Sequence, residues 1–177
     1  GGFDTICGRT GIDTILGGNA DDTIYGHEGD DILLGDHGAI ERHTGSAWAN
    51  DVYSLDPGEG GKDTITGGIG DDIILGGSGG LDLTIEGPSG EGDTIYGNTG
   101  DDLLFGDNGH ITRDQANVVL RAATRDYVPV LDPVFVDFGS FGGDDTISGG
   151  MGMDMAFGGE GDDIIYGNDL ANTNVDD

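Results

Sequence analysis

Aspartate recurs along this chain at a fixed spacing, always behind a glycine-rich turn. Eleven residues share the setting: Asp4, Asp13, Asp22 and Asp31; Asp63 and Asp72; Asp93 and Asp102; Asp145, Asp154 and Asp163. Within each group the spacing is nine residues, as in GRTGIDTIL, GGNADDTIY and GHEGDDILL from Gly8 to Leu34. Carboxylates and main-chain carbonyls are hard oxygen donors, and calcium takes six to eight of them at flexible geometry. Glycine lets a turn aim its carbonyls inward without steric penalty. The chemistry this pattern suits is the binding of several cations.

The elements that position these residues follow from the period. With aspartate at position six, positions one to six are too glycine-rich for a helix or strand interior and read as turn. Positions seven to nine are β-formers, such as Thr-Ile-Tyr or Ile-Leu-Leu, and read as a short strand. Position eight is Ile6, Ile15, Ile24, Leu33, Ile65, Ile74, Ile95, Leu104, Ile147, Ala156 and Ile165. Strand alternation sends position eight to one face and positions seven and nine to the other. Turn plus strand, repeated, makes a coil whose stacked turns lie about 4.8 Å apart. One ion can then be shared between two turns.

GRTGIDTIL, GGIGDDIIL, GGMGMDMAF and GGEGDDIIY resemble the repeats-in-toxin (RTX) nonapeptide. The resemblance implies an all-β fold, a right-handed parallel β-roll (a β-helix or solenoid) with two nonapeptides per coil. It also implies turns that alternate between two edges, with Ca2+ held between stacked turns by position-six carboxylates and turn carbonyls. The eleven aspartates are therefore the expected metal ligands. If the coil resumes directly after each break, six same-edge pairs form: Asp4/Asp22, Asp13/Asp31, Asp31/Asp63, Asp72/Asp93, Asp102/Asp145 and Asp145/Asp163. Six ions would bring the formal charge of −29 to −17. The position-five carboxylates Asp21, Asp30, Asp71, Asp101, Asp144 and Asp162 read as solvated.

The breaks are regular too. Continuing each array by nine puts Ile40, Leu81 and Ile111 at position six, and after each the chain leaves the register. Loss of the carboxylate and departure from the roll are expected to be linked. The chain reads as one β-roll over 1–177, cut from a longer protein, with insertions at 41–58 and 112–139. If turns alternate edges, both insertions leave from the same edge. They carry Trp48, Tyr53, Pro57, Val118-Val119-Leu120 and Val134-Phe135-Val136, and residues 114–125 could form a short helix. Leu16, Ile32, Leu34, Ile73, Leu75, Leu103, Phe105, Phe157, Ile164 and Tyr166 should point out of the coil. That much outward apolar surface needs a cover, either the insertions or a neighbouring chain.

Composition narrows the partners. The charge comes from 35 acidic against 6 basic residues, which argues against nucleic acid and acidic membranes. A chain this acidic with 7% aromatics would by default stay disordered. The periodic aliphatics argue otherwise, provided something neutralises the carboxylates. Cys7 is the single cysteine, which rules out an internal disulfide framework, and it reads as a small strand residue. No apolar run is long enough to span a bilayer. Gly76-Gly77-Ser78-Gly79-Gly80 fits a nucleophile-elbow pattern only because glycine is everywhere, with no strand-turn-helix around it. His27, His37, His43 and His110 lack ligand spacing and read as surface or turn residues. The mixed row at position three, from Thr10 and Asn19 to Met151 and Glu160, is no flat array of the ice-binding kind.

The expected function is structural and non-enzymatic. The resemblance implies a calcium-stabilised module of a large secreted or cell-surface protein, an adhesin, surface-layer or filament component, which folds outside the cell. The alternative is the accessory roll of a secreted protease, lipase or alginate epimerase. Expected partners are calcium and further β-roll segments or copies of the chain, with glycan binding through Trp48 and Tyr53 as a third class.

Overall fold

A computed structural model describes residues 1–42, 50–55, 60–78, 92–114, 116, 118–124, 142–159 and 161–167. Its fifteen strands, numbered in chain order, form three sheets and no helix among the described residues. The first sheet is parallel, in the order β1 (Thr5–Thr10), β3 (Thr23–Glu28), β7 (Thr64–Ile69), β9 (Thr94–Thr99), β13 (Thr146–Met151) and β15 (Ile164–Tyr166). The second is also parallel: β14 (Met155–Phe157), β10 (Leu103–Phe105), β8 (Ile73–Leu75), β4 (Ile32–Leu34) and β2 (Thr14–Leu16). The chain alternates between them in chain order. This is the all-β parallel roll expected.

The register is set by position eight. Ile6 pairs with Ile24, Ile24 with Ile65, Ile65 with Ile95 and Ile95 with Ile147, so like residues stack on like. Ile15, Ile24, Leu33, Ile65, Ile74, Ile95, Leu104 and Ile147 form one buried column between the two sheets, with Ile6 and Ala156 packed against it. A one-residue slip would turn this whole column outward, so burial fixes the pairing.

The third sheet is antiparallel, in the order β12 (Val119–Thr124), β11 (Gly109–Arg113), β6 (Asn50–Ser54) and β5 (Gly38–Arg42). β5 and β6 are one hairpin, β11 and β12 another, and the two join through His110 opposite Tyr53 and Ile111 opposite Val52. Among the described residues of segment 114–125, Val119–Thr124 is strand β12 and none is helix. An Asx turn at Asp114, whose carboxylate accepts the Ala116 and Val118 amides at 2.8 and 3.0 Å, reverses the chain. The β-branched Val118 and Val119 then favour the extended form.

This sheet is the cover that the outward apolar residues required. Ile32, Leu34, Ile73, Leu75, Leu103 and Phe105 bury against Val52 and Ile111, with Ile40, Ala122 and Phe157 at the margin. Phe105 and Phe157 stack at 4.8 Å. Leu16, Ile164 and Tyr166 stay exposed. Trp48, Pro57, Leu81 and Val134-Phe135-Val136 lie outside the described residues.

Phe105 is fully buried between roll and cover, whereas Ile69 is 60% exposed. In denaturant unfolding with calcium in excess, Phe105→Ala should cost about 3–5 kcal/mol. Ile69→Ala should stay within about 0.5 kcal/mol.

Candidate metal centre

The position-six aspartates form two columns, one on each edge of the roll. On one edge each main-chain amide donates to the Oδ1 of the next coil's aspartate: Asp4 to Asp22, Asp22 to Asp63, Asp63 to Asp93, Asp93 to Asp145 and Asp145 to Asp163, at 2.6–3.0 Å. On the other edge the chain of bonds runs from Asp13 to Asp31, Asp72, Asp102 and Asp154, at 2.8–3.1 Å. All eleven expected residues stand in these two ladders.

The pairings differ from expectation at every break. Asp31 stacks on Asp72, Asp72 on Asp102 and Asp102 on Asp154, not on Asp63, Asp93 and Asp145. The cause is that each exit turn and the following return turn are two halves of one turn. In an unbroken turn, a Cβ on Gly26 would run into the Oδ2 of Asp31, five residues on. At the breaks the same relation links Gly35 to Asp63, Gly76 to Asp93 and Gly106 to Asp145. Ile40 and Ile111 therefore never occupy position six. They lie on β5 and β11 and face the second sheet's apolar side, while the returning chain supplies the carboxylate. No carboxylate is lost, and the ladder has nine intervals rather than six pairs. All three breaks fall on the edge of Asp4, Asp22, Asp63, Asp93, Asp145 and Asp163.

Beside each carboxylate the main chain leaves a cradle. The point where a Gly26 Cβ would stand is 2.7 Å from the Gly67 carbonyl and also touches Asp31 Oδ2. At Gly97 the neighbours are the Gly149 carbonyl, at 2.6 Å, and Asp102 Oδ2. Glycine is needed at position one for space, since a methyl group would fill the gap. Gly29, at position four, needs glycine for conformation as well, with φ 131° and its missing Cβ facing the Gly11 carbonyl, whereas Ala20 holds the same position in its turn at φ 78°.

The carboxylates are buried and half-satisfied. Asp22, Asp31, Asp63, Asp72, Asp93, Asp102 and Asp145 are at most 2% exposed. The Oδ2 atoms of Asp13, Asp22, Asp31, Asp63, Asp72, Asp102, Asp145 and Asp154 are buried without a hydrogen-bond partner. Burial first, and like charges second, raise these groups: Asp63 and Asp72 to about 7, Asp145 to about 8, Asp102 to about 6, and Asp93 well above the usual carboxylate range. The ladder amides pull the other way.

These donors fit a hard divalent cation: charged oxygens with open lone pairs, facing stacked carbonyls. Among the described residues no three acidic, His or Cys side chains converge on a point, so the carbonyls must supply much of the shell.

Four copies of the RTX calcium-binding nonapeptide repeat match, over residues 1–39, 58–80, 89–110 and 140–173. The chain belongs to the RTX calcium-binding nonapeptide repeat family. RTX nonapeptide repeats bind Ca2+. No curated protein and no solved structure matches the chain.

Other residues fall where they do less. The position-five carboxylates are exposed, yet they build a second ladder: Asp71 and Asp101 donate amides to Asp30 and Asp71 at 3.1 and 2.9 Å. Cys7 is an exposed, free thiol on β1, and His27 is exposed and stacks on Tyr25. His37 is half-buried in the turn before β5, His110 sits edge-on to Tyr53, and His43 is outside the described residues. Gly76–Ser78 begins one of the broken turns, and Gly79 and Gly80 lie outside the described residues. Two buried aspartates were missed, Asp36 and Asp107. Their signal was legible: both long insertions follow GDxG, where other turns on that edge have glycine at position two.

Two tests follow. In a double-mutant cycle on calcium-dependent folding, Asp31→Asn and Asp72→Asn should couple by more than about 0.5 kcal/mol, and Asp31→Asn with Asp63→Asn should add independently. The reverse would restore the pairing expected from sequence. The second test is pH. Carboxylates raised in the fold bind more protons folded than unfolded, so calcium-free stability is retained at low pH and lost as pH rises through the folded values of about 6 to 8. Circular dichroism in calcium-depleted buffer should show more β structure near pH 4.5 than at pH 8. Calcium should abolish the difference.

Proposed function

We propose that the chain is a calcium-folded structural module of a large secreted or cell-surface protein, an adhesin, surface-layer or filament component, with no catalysis of its own. The observation that carries this reading is the pair of buried carboxylate ladders with open Oδ2 atoms. A column of uncompensated buried charge opposes folding strongly. A cation at each interval turns that penalty into attraction, so binding energy becomes folding energy. Nine divalent ions, one per interval, would bring −29 to −11. Extracellular calcium modules have dissociation constants of about 10⁻⁴–10⁻³ M. A roll tuned to that range is unfolded before export and folded after it.

The same ladders favour further β-roll, or another copy, as partner. Each has a direction, since every amide points to the carboxylate of the following coil. A preceding coil could donate to Asp4, and a following coil could accept from Asp163. Head-to-tail stacking of this kind continues without closing.

At pH 7.5 the calcium-depleted chain should give a largely disordered far-ultraviolet spectrum and gain β signal on calcium addition. Sedimentation velocity should show end-to-end association only in calcium. A full β spectrum in chelator would defeat the folding claim, and a strict monomer in calcium would defeat the stacking claim.

A further inference from the structure

The two long hairpins leave the roll through turns that carry an extra acid. Asp36 and Asp107 stand at position two, where Gly18, Gly77 and Gly159 stand in other turns of the same edge. Both are buried, at 2% and 7% exposure. Each side chain bridges its break. Asp36 Oδ1 accepts the amide of Gly61, and Asp107 Oδ1 that of Gly143, at 3.1 and 3.0 Å, where the turn resumes. The other oxygen faces the next coil. Asp36 Oδ2 accepts the Ser78 amide at 2.7 Å, and a Cβ on Gly77 or Gly159 would collide with the Oδ2 of Asp36 or Asp107. The same clamp is built twice.

A neutral amide could accept from Gly61 or Gly143, but its nitrogen could not accept from Ser78, so the first clamp needs two acceptor oxygens. Each clamp puts a second carboxylate into a turn that already has one. Asp63 is the like charge that acts most strongly on Asp36, and Asp107 the one that acts most strongly on Asp145. Asp63 and Asp145 are at most 1% exposed, and their Oδ2 atoms take no hydrogen bond. Those atoms border the Gly76 and Gly158 carbonyls of the next coil, at the cradles of Gly35 and Gly106. In each turn, then, one buried carboxylate has an open oxygen facing a carbonyl and a second buried carboxylate beside it, and the pair calls for a positive ion.

We propose that the turns of Asp36–Asp63 and Asp107–Asp145 are the strongest divalent-cation sites of the roll, and that filling them docks the hairpin sheet. The proposal rests on the reading of the ladders as cation columns. The coupling follows from where the hairpins are anchored. Gly35-Asp36 and Gly60-Gly61 are the two feet of the first hairpin, and Gly106-Asp107 and Gly142-Gly143 those of the second. An ion that holds each pair of feet together sets both hairpins over Leu75 and Phe105, where Val52 and Ile111 pack.

Hydrogen exchange on the full chain, during a calcium titration at pH 7.5, tests this. Amides of β5, β6, β11 and β12 should become protected at lower calcium than those of Asp13, Asp31, Asp72 and Asp102. Asp36→Asn and Asp107→Asn should each raise the calcium midpoint for the hairpin strands about tenfold. Asp71→Asn, which removes the same charge from the exposed column, should leave it within about twofold. A reversed order of protection, or clamp variants no different from Asp71→Asn, overturns this inference alone. If an Asn variant cannot fold even in excess calcium, the order of protection in the unsubstituted chain decides. Protection that ignores calcium overturns the cation reading and this inference together.

Discussion

One bond recurs through the whole roll: a main-chain amide donating to the carboxylate of the coil that follows. It ties coil to coil at both edges, and it forces the carboxylates into buried columns. A hydrogen bond to a charged acceptor contributes about 1.5–3 kcal/mol. The idealised cost of burying the charge is larger, and the amide satisfies only one of the two oxygens. The remaining oxygen must find a cation or a proton. Glycine at positions one and four, the stacked carbonyls and the raised carboxyl groups are all consequences of that requirement.

The aliphatic column between the sheets gives the roll its register but not its independence. Each fully buried Ile or Leu contributes about 1.5–3 kcal/mol. Against this stand the conformational entropy of a chain with 38 glycines and the repulsion within the ladders. Such a coil folds when its charges are met. The second apolar layer, under the hairpin sheet, adds packing of a different kind. It is built by chain that has left the roll and come back, so it depends on the broken turns staying closed.

Sequence made the repeat legible because a period of nine leaves few architectures. The strands and the inward column follow from it, the two aspartate edges were what the family resemblance implied, and the outward residues announced a cover. What sequence did not show was where one turn ends. Ile40 and Ile111 keep the spacing of position six by counting, yet in space they belong to hairpins. Counting residues cannot tell a complete turn from half of one, because closure depends on contacts between Gly35 and Asp63 or Gly106 and Asp145, far apart in the chain. At Asp36 and Asp107 the sequence shows the acid at position two but not its use. Their role exists only when the return strand brings Gly61 and Gly143 alongside. The helix expected over 114–125 failed because pairing with β11 outweighs local preference there.

The most direct test is to locate the ions. A crystal grown in calcium, with data collected at a long wavelength where calcium scatters anomalously, shows each ion without a model of the shell. The ladders predict anomalous peaks along both edges, between Asp31 and Asp72 and between Asp63 and Asp93 among others. Peaks confined to the exposed position-five carboxylates, or an ordered roll with no peaks between its coils, would contradict the account.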